Sequence, residues 1–214
     1  MARKASKLAP AEAYLAKVCP VMRVAVTRHE PFPAATRPEH GPYEALCRSI
    51  VYQQLSGKAA ATIYGRVLAL FPGADAPPPR KLLTTPFETL RAAGLSRQKI
   101  AALQDLAQKR LDGVVPAQGE IEHLPDDEIV ERLTTVRGVG RWTVEMYLIF
   151  TLGRPDVWPN DDLGVRKGAE KLFDATFTPK TLKPFGDTYA PWRSAMAWHC
   201  WRATEIDLPT PEAA

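Results

Sequence analysis

A two-glycine turn set between two helical patterns constrains this chain more than any other feature. Leu133-Thr-Thr-Val136-Arg137-Gly138-Val139-Gly140-Arg141-Trp142-Thr143 leads into an apolar run ending at Phe150. Upstream, Pro125-Asp126-Asp127-Glu128 starts a helix whose first-turn acids suit the positive end of its dipole. Downstream, the pattern predicts a helix from Arg141 to about Leu152. Glycine permits positive φ and close backbone approach, so the turn can be tight and leave its N–H groups accessible.

The rest of the chain repeats the helical period. Residues 10–26 read as a helix interrupted by Pro20, and 27–42, with Pro31, Pro33, Pro38 and Pro42, as an extended linker. A long pattern starts near Tyr43: Leu46, Ile50 and Val51 share a face that Ile63, Val67 and Leu68 resume. Gln53-Gln54-Leu55-Ser56-Gly57 breaks it. Phe71-Pro72-Gly73 ends the segment, and Pro77-Pro78-Pro79 reads as a stiff surface loop. Thr85-Pro86 opens a short helix that stops at Gly94. Ser96 can cap the next helix, whose Ile100, Leu103, Leu106, Ala107 and Leu111 form an apolar stripe. Further helices are predicted over 162–173, 179–186 and 189–203, with no strand ladder and no long repeat. The fold class is all-α. A length of 214 residues supports a sizeable core and one domain or two closely packed lobes.

Net charge is +4 and the pI about 9.0, which permits a polyanionic partner without establishing one. The three cysteines, Cys19, Cys47 and Cys200, form no CxxC pair, which argues against a cysteine-ligated zinc or iron–sulfur site. Sparse cysteine fits a reducing cytoplasm. No apolar run reaches the length of a membrane span, and no signal core follows the basic Met1–Lys7 segment. Residues 1–7 and 206–214 are expected to be tails.

Two motifs carry chemistry. Amide groups at a helix start attract anions, and Arg137 and Arg141 flank the glycine turn. Phosphate binding and an ordinary interhelical turn are both open readings of it. Pro159-Asn160-Asp161-Asp162 then opens the next predicted helix. Its acids read either as an N-cap and a first-turn acid, or as an ionised carboxylate held ready for a reacting sugar.

Together these residues resemble the helix-hairpin-helix/Gly-Pro-Asp superfamily of DNA glycosylases. Trp142 and the Asp161-Asp162 pair point to the 3-methyladenine DNA glycosylase II (AlkA-type) branch. Arg48-Ser-Ile-Val-Tyr-Gln53-Gln54-Leu55-Ser56-Gly-Lys58 is similar to that branch's helix–loop–helix corner, and Pro191-Trp192-Arg193-Ser194 with Trp201 to its C-terminal helix. The resemblance implies two lobes, about 44–146 with the hairpin and about 8–43 plus 147–205, with the active-site cleft between them. It also implies a compact form, because the corner is reached by residue 53 without the enlarged N-terminal α/β domain of some relatives.

The resemblance further implies the site. Asp162 is the catalytic carboxylate, with Asp161 the cap or a supporting residue. Trp201, Trp142 and Met146 line the base pocket, with Phe32 and Tyr43 approaching it, and Trp158 anchors the Asp162 loop. Arg137, Gly138, Val139, Gly140, Arg141 and Thr143 bind DNA, as do Gln53, Gln54, Leu55, Ser56 and Lys58. Gln54, then Leu55, is the side chain that fills the gap left by a flipped nucleotide. Arg166, Lys167 and Lys99 are phosphate contacts or solvated charges. Carbonyls of Thr134, Val136 and Val139 would hold Na+ or K+; no cofactor is required and no iron–sulfur cluster is expected. Bifunctional relatives place a Schiff-base Lys where Trp142 stands, so a monofunctional enzyme is implied.

The expected activity is hydrolysis of the N-glycosidic bond of alkylated purines, 3-methyladenine and 7-methylguanine, in double-stranded DNA. The enzyme is expected to be a cytoplasmic, nucleoid-associated monomer. The alternatives are a non-catalytic helix-hairpin-helix DNA-binding module, and a glycosylase for deaminated or mismatched bases.

Overall fold

The structure, a computed structural model, describes residues 9–33 and 41–205, and these are helical with no strand. In chain order the helices are α1 (Pro10–Val18), α2 (Pro20–Arg28), α3 (Pro42–Tyr52), α4 (Gly57–Ala69), α5 (Pro79–Thr84), α6 (Phe87–Ala92), α7 (Arg97–Leu111), α8 (Gln118–Ile121), α9 (Asp126–Thr134), α10 (Arg141–Phe150), α11 (Leu163–Phe173), α12 (Pro179–Asp187) and α13 (Arg193–Glu205). The expected tails lie outside the described residues, as does the 34–40 part of the expected linker.

Local sequence explains where the helices start. Proline opens α1, α2, α3, α5 and α12, where its missing N–H costs nothing. Side chains of Ser56, Ser96, Asp162 and Thr178 cap α4, α7, α11 and α12. Each such cap satisfies one orphan N–H and stabilises by about 1 kcal/mol.

The chain forms two compact units. One comprises Met1–Thr36 and Gly153–Ala214; the other is Arg37–Leu152. In the second unit α7 packs on α3 and α5, and α9 on α10. Its core includes Leu46, Ile50, Leu90, Leu103, Leu106 and Leu133, all buried. In the first unit α11 lies against α13, with α1 and α2 packed together and also touching α13. Leu15, Met22, Val165, Leu182, Met196 and Trp158 meet in its core. Burying a side chain of this size contributes roughly 1.5–3 kcal/mol, so each unit rests on many such contacts.

Several expectations needed correction. The proline run is not a surface loop: Pro77 is buried, its carbonyl accepts the Tyr43 hydroxyl at 2.6 Å, and Pro79 begins α5. The short helix α8 had no periodic signal, since four residues cannot show a period. Leu111 drops out of the α7 stripe and is 41 % exposed at the helix end. The last helix starts at Arg193 rather than 189, after Pro191.

Candidate active site and nucleic-acid interface

In the Arg37–Leu152 unit, α9 and α10 form the hairpin. Gly138 has φ +76°, which the lack of a Cβ allows, and Val139 N–H closes the turn on Val136 O at 3.0 Å. Gly140 is the N-cap of α10 and brings no side chain to its first N–H groups. A Cβ on Gly140 would meet nothing within 4 Å, so open space lies in front of this helix start. Arg137 is exposed, as is Arg141, whose Nε donates to Glu145 Oε1 at 2.9 Å. The Thr143 and Val139 side chains are buried, which leaves their backbone groups as what they can present to a ligand. The helical period turns position 143 inward toward the core.

The Gln53–Ser56 corner belongs to the same unit and is tied to the hairpin. Gln53 Nε2 donates to Gly138 O at 2.9 Å. Gln54 takes φ +57°, unusual for a residue with a side chain, and it is exposed, as are Leu55 and Lys58. Ser56 caps α4. Lys99 is neither a phosphate contact nor a solvated charge: its Nζ donates to Val51 O at 2.6 Å and Gln53 O at 2.9 Å. It thereby satisfies carbonyls at the end of α3, and burial lowers its pKa. A cavity of about 340 Å³ between corner and turn is lined by Gln53, Gln54, Lys99, Arg137 and Gly138.

Asp105 is a residue that sequence reasoning missed. Its Oδ2 accepts the Arg137 N–H at 2.7 Å and the Lys109 ammonium at 2.7 Å. Burial pushes its carboxyl up, but the bonds from Lys109 and Arg137 outweigh this and hold it below the usual range. Only the (i, i+4) Asp105–Lys109 spacing was readable in sequence; the reach to the turn was not.

The carboxylate site lies in the other unit. Asp162 is the N-cap of α11, and its Oδ1 accepts Val165 N–H at 2.7 Å and Trp201 Nε1–H at 2.9 Å. Asp161 is therefore not the cap: its Oδ1 accepts from Asn160 Nδ2 at 3.1 Å. Two N–H donors, one from its own helix and one from α13, fix the position of the Asp162 carboxylate. Trp158, buried, donates to Leu182 O at 2.9 Å and so fixes the segment before Asp162. Arg193 grips Asp156 with two bonds, 2.7 and 2.9 Å, and secures the same segment. Arg166 pairs with Glu170 at 3.3 Å on the face of α11.

The remaining pocket expectations divide. Phe32 is half-buried in the Asp162 unit; its N–H donates to Glu12 Oε1 at 2.8 Å and its ring meets Trp198 edge-on. Trp142, 50 % exposed, and the half-buried Met146 are on α10 of the other unit. Tyr43 is buried in the Arg37–Leu152 unit, and its hydroxyl donates to Pro77 O at 2.6 Å. Burial also pushes its phenol pKa up.

A buried polar chain was also missed. His29 Nδ1 and His199 Nδ1 lie 3.2 Å apart, so one ring donates and the other accepts. His199 Nε2 lies 3.8 Å from Glu12 Oε1. Burial lowers the His29 pKa to about 4, with help from His199 and Arg202. For Glu12 burial raises the pKa, but the bonds from His199 and Phe32 outweigh it and the net shift is downward. Among the described residues no cluster of three or more His, Cys, Asp or Glu could hold a metal ion.

A glycine-turned helical hairpin with a carboxylate capping the next helix defines a class of DNA repair fold. Residues 47–183 match the HhH-GPD family, described as HhH-GPD superfamily base excision DNA repair protein, and the chain belongs to that superfamily. DNA-3-methyladenine glycosylase 1 of Schizosaccharomyces pombe is 39 % identical over 77 % of this chain and 73 % of its own length. The alkylbase DNA glycosidase-like protein mag2 of the same organism is 32 % identical over 92 % of this chain and 93 % of its own. The solved structure of S. pombe 3-methyladenine DNA glycosylase (Mag1) in complex with abasic DNA superposes with a TM-score of 0.80, covering 92 % of this chain and 98 % of that one at 35 % identity. No described helix is long and apolar enough to cross a membrane.

Proposed function

We propose that this protein is a monofunctional DNA glycosylase that hydrolyses the N-glycosidic bond of alkylated purines in duplex DNA and leaves an abasic site. The observation that carries the reading is Asp162, whose Oδ1 is held by Val165 N–H and Trp201 Nε1–H at the start of α11. Loss of the base puts oxocarbenium character on the deoxyribose. A fixed carboxylate stabilises that charge and orients the attacking water. N-alkylation makes 3-methyladenine or 7-methylguanine a cation and a good leaving group, so a second catalytic acid has little left to do. The Trp201 ring attracts a flat cation more strongly than a neutral base.

The partner is double-stranded DNA, with the protein acting as a monomer in the cytoplasm. Open space before Gly140 and the N–H groups at the start of α10 suit a phosphate, with Arg137 and Arg141 adding charge. Exposed Gln54, in its left-handed conformation, fills the space left by the flipped nucleotide, with Leu55 beside it. Thr134, Val136 and Val139 supply neutral carbonyl oxygens, a donor set that suits Na+ or K+; Val136 O keeps a second lone pair beyond its bond to Val139 N–H. Such an ion would add positive charge beside the phosphate. Trp142 stands where a Schiff-base lysine would be needed for strand cleavage, and indole forms no Schiff base. A non-catalytic DNA-binding module would have no use for the Asp162–Trp201 arrangement.

Single-turnover release of methylated base from alkylated duplex tests the reading. Wild type is expected to release 3-methyladenine, and Asp162→Asn to release it at least about 100-fold more slowly with similar DNA affinity. Release at the wild-type rate by Asp162→Asn would overturn it.

A further inference from the structure

Asp162 Oδ1 is held from two directions: Val165 N–H comes from its own helix, Trp201 Nε1–H from α13. The second donor reaches it across Gly164. A Cβ at that position would lie 2.7 Å from Trp201 Cδ1, 3.0 Å from Nε1 and 3.1 Å from Asp162 Oδ1. These are atoms of a rigid ring and a fixed carboxylate, not the end of a flexible chain. One turn further along α11, a Cβ on Gly168 would fall 1.8 Å from Cys200 O. There the two helices touch backbone to backbone, so α13 cannot retreat to make room for a side chain at Gly164 without losing that packing. Gly168 sets the separation of α11 and α13, and Gly164 admits the indole edge into it.

We infer that Gly164 is a positioning residue: its missing side chain lets the Trp201 N–H reach Asp162 and fix the orientation of the carboxylate. Trp201 then has two separable tasks, its ring face toward the base and its N–H toward Asp162. The inference rests on Asp162 being the catalytic carboxylate. Neither Gly164 nor the indole N–H touches the reacting sugar; both act through Asp162.

The test compares wild type, Asp162→Asn, Trp201→Phe, Gly164→Ala and the Gly164→Ala/Trp201→Phe double variant. Two readouts are taken: the single-turnover release rate of 3-methyladenine, and the dissociation constant for a duplex carrying a tetrahydrofuran abasic analogue. Trp201→Phe keeps an aromatic ring and loses the N–H. It is expected to slow release about 10- to 100-fold, the range for a hydrogen bond to a charged group, with affinity within about twofold of wild type. Gly164→Ala should show the same split, and the double variant should lose little beyond Trp201→Phe, because both changes remove one interaction. Wild-type release by Trp201→Phe, or losses that multiply in the double variant, would overturn the inference. Should Gly164→Ala fail to fold, Trp201→Phe with an unchanged melting temperature decides by slowing 3-methyladenine and 7-methylguanine release by the same factor, because an N–H that orients Asp162 acts on every base alike; unequal slowing would assign the loss to the ring face and overturn the inference. Wild-type release by Asp162→Asn would instead remove the catalytic reading on which the inference depends. An inert Asp162→Asn beside a fully active Trp201→Phe sinks the positioning role only.

Discussion

Gln53 donates its side-chain N–H to the carbonyl of Gly138 at 2.9 Å, joining the corner that follows α3 to the turn that precedes α10. The two segments are far apart in sequence, yet on the proposed reading they act together, one filling the duplex and one holding its backbone. Gln53→Ala is expected to weaken binding to abasic-analogue duplex about fivefold, the scale of one neutral hydrogen bond. Fluorescence anisotropy titration would show it. Unchanged affinity would mean that the bond does not hold the two segments in register.

Lys99 looks like a phosphate ligand in the sequence and is a carbonyl ligand in the fold, bonded to Val51 O and Gln53 O. Lys99→Met should cost roughly 1–3 kcal/mol of stability, because two carbonyls lose a charged donor. It should leave the slope of log K against log salt for DNA unchanged. Arg137→Gln, by contrast, is expected to reduce that slope by about 1. A Lys99 variant with a shallower salt slope would put its ammonium on DNA after all.

Asp105 braces the hairpin by accepting the Arg137 N–H while paired with Lys109. Against the upward push of burial, Lys109 and the Arg137 N–H hold its folded pKa below the ordinary Asp value of 3.8. The stabilisation is therefore present above that value and is lost as pH falls through the folded one. Asp105→Asn should destabilise by about 1–2 kcal/mol at neutral pH and flatten the acid end of the stability profile. Denaturant melts at neutral and acid pH measure both effects.

The His29–His199 contact sets a second, higher acid limit. His29 titrates near 6.5 in the unfolded chain and about 4 in the fold. Between those values the unfolded chain binds a proton that the folded chain refuses, so stability falls as pH drops from 6.5 toward 4. The full loss is about 3 kcal/mol. His199, Glu12 and Arg202 are the charged or titratable groups in this neighbourhood, and burial is the main cause. Urea midpoints should drop across this window in wild type and much less in His29→Ala. Parallel profiles would place the acid sensitivity elsewhere.

Much of this was legible in the chain because it depends on neighbours in sequence. Helix starts at Ser96 and Asp162 follow from caps acting within one turn, and the hairpin follows from Gly138 between two apolar periods; the start at Pro79 did not, because a proline run reads equally as a loop. Legibility failed where a side chain serves a distant backbone. Lys99 reaching Gln53, Asp105 reaching Arg137 and Tyr43 reaching Pro77 each span tens of residues, and no period records such a reach. Asp161 and Asp162 were distinguishable by chemistry only through resemblance. The structure adds that Asp162, the one proposed as catalytic, is also the cap. Gly164 carried no signal, because its role is the space it leaves for Trp201.

The order of the chain has a consequence for its synthesis. The hairpin and its corner lie wholly within residues 37–152, whereas the unit holding Asp162 needs both Met1–Thr36 and Gly153–Ala214. The indole that meets Asp162 is on α13, the last of the described helices. A polypeptide broken off between Asp162 and Trp201 would keep the hairpin and the corner but leave the carboxylate without its indole donor. On the proposed reading of Asp162, the carboxylate is therefore completed only when the last of the described helices has been made.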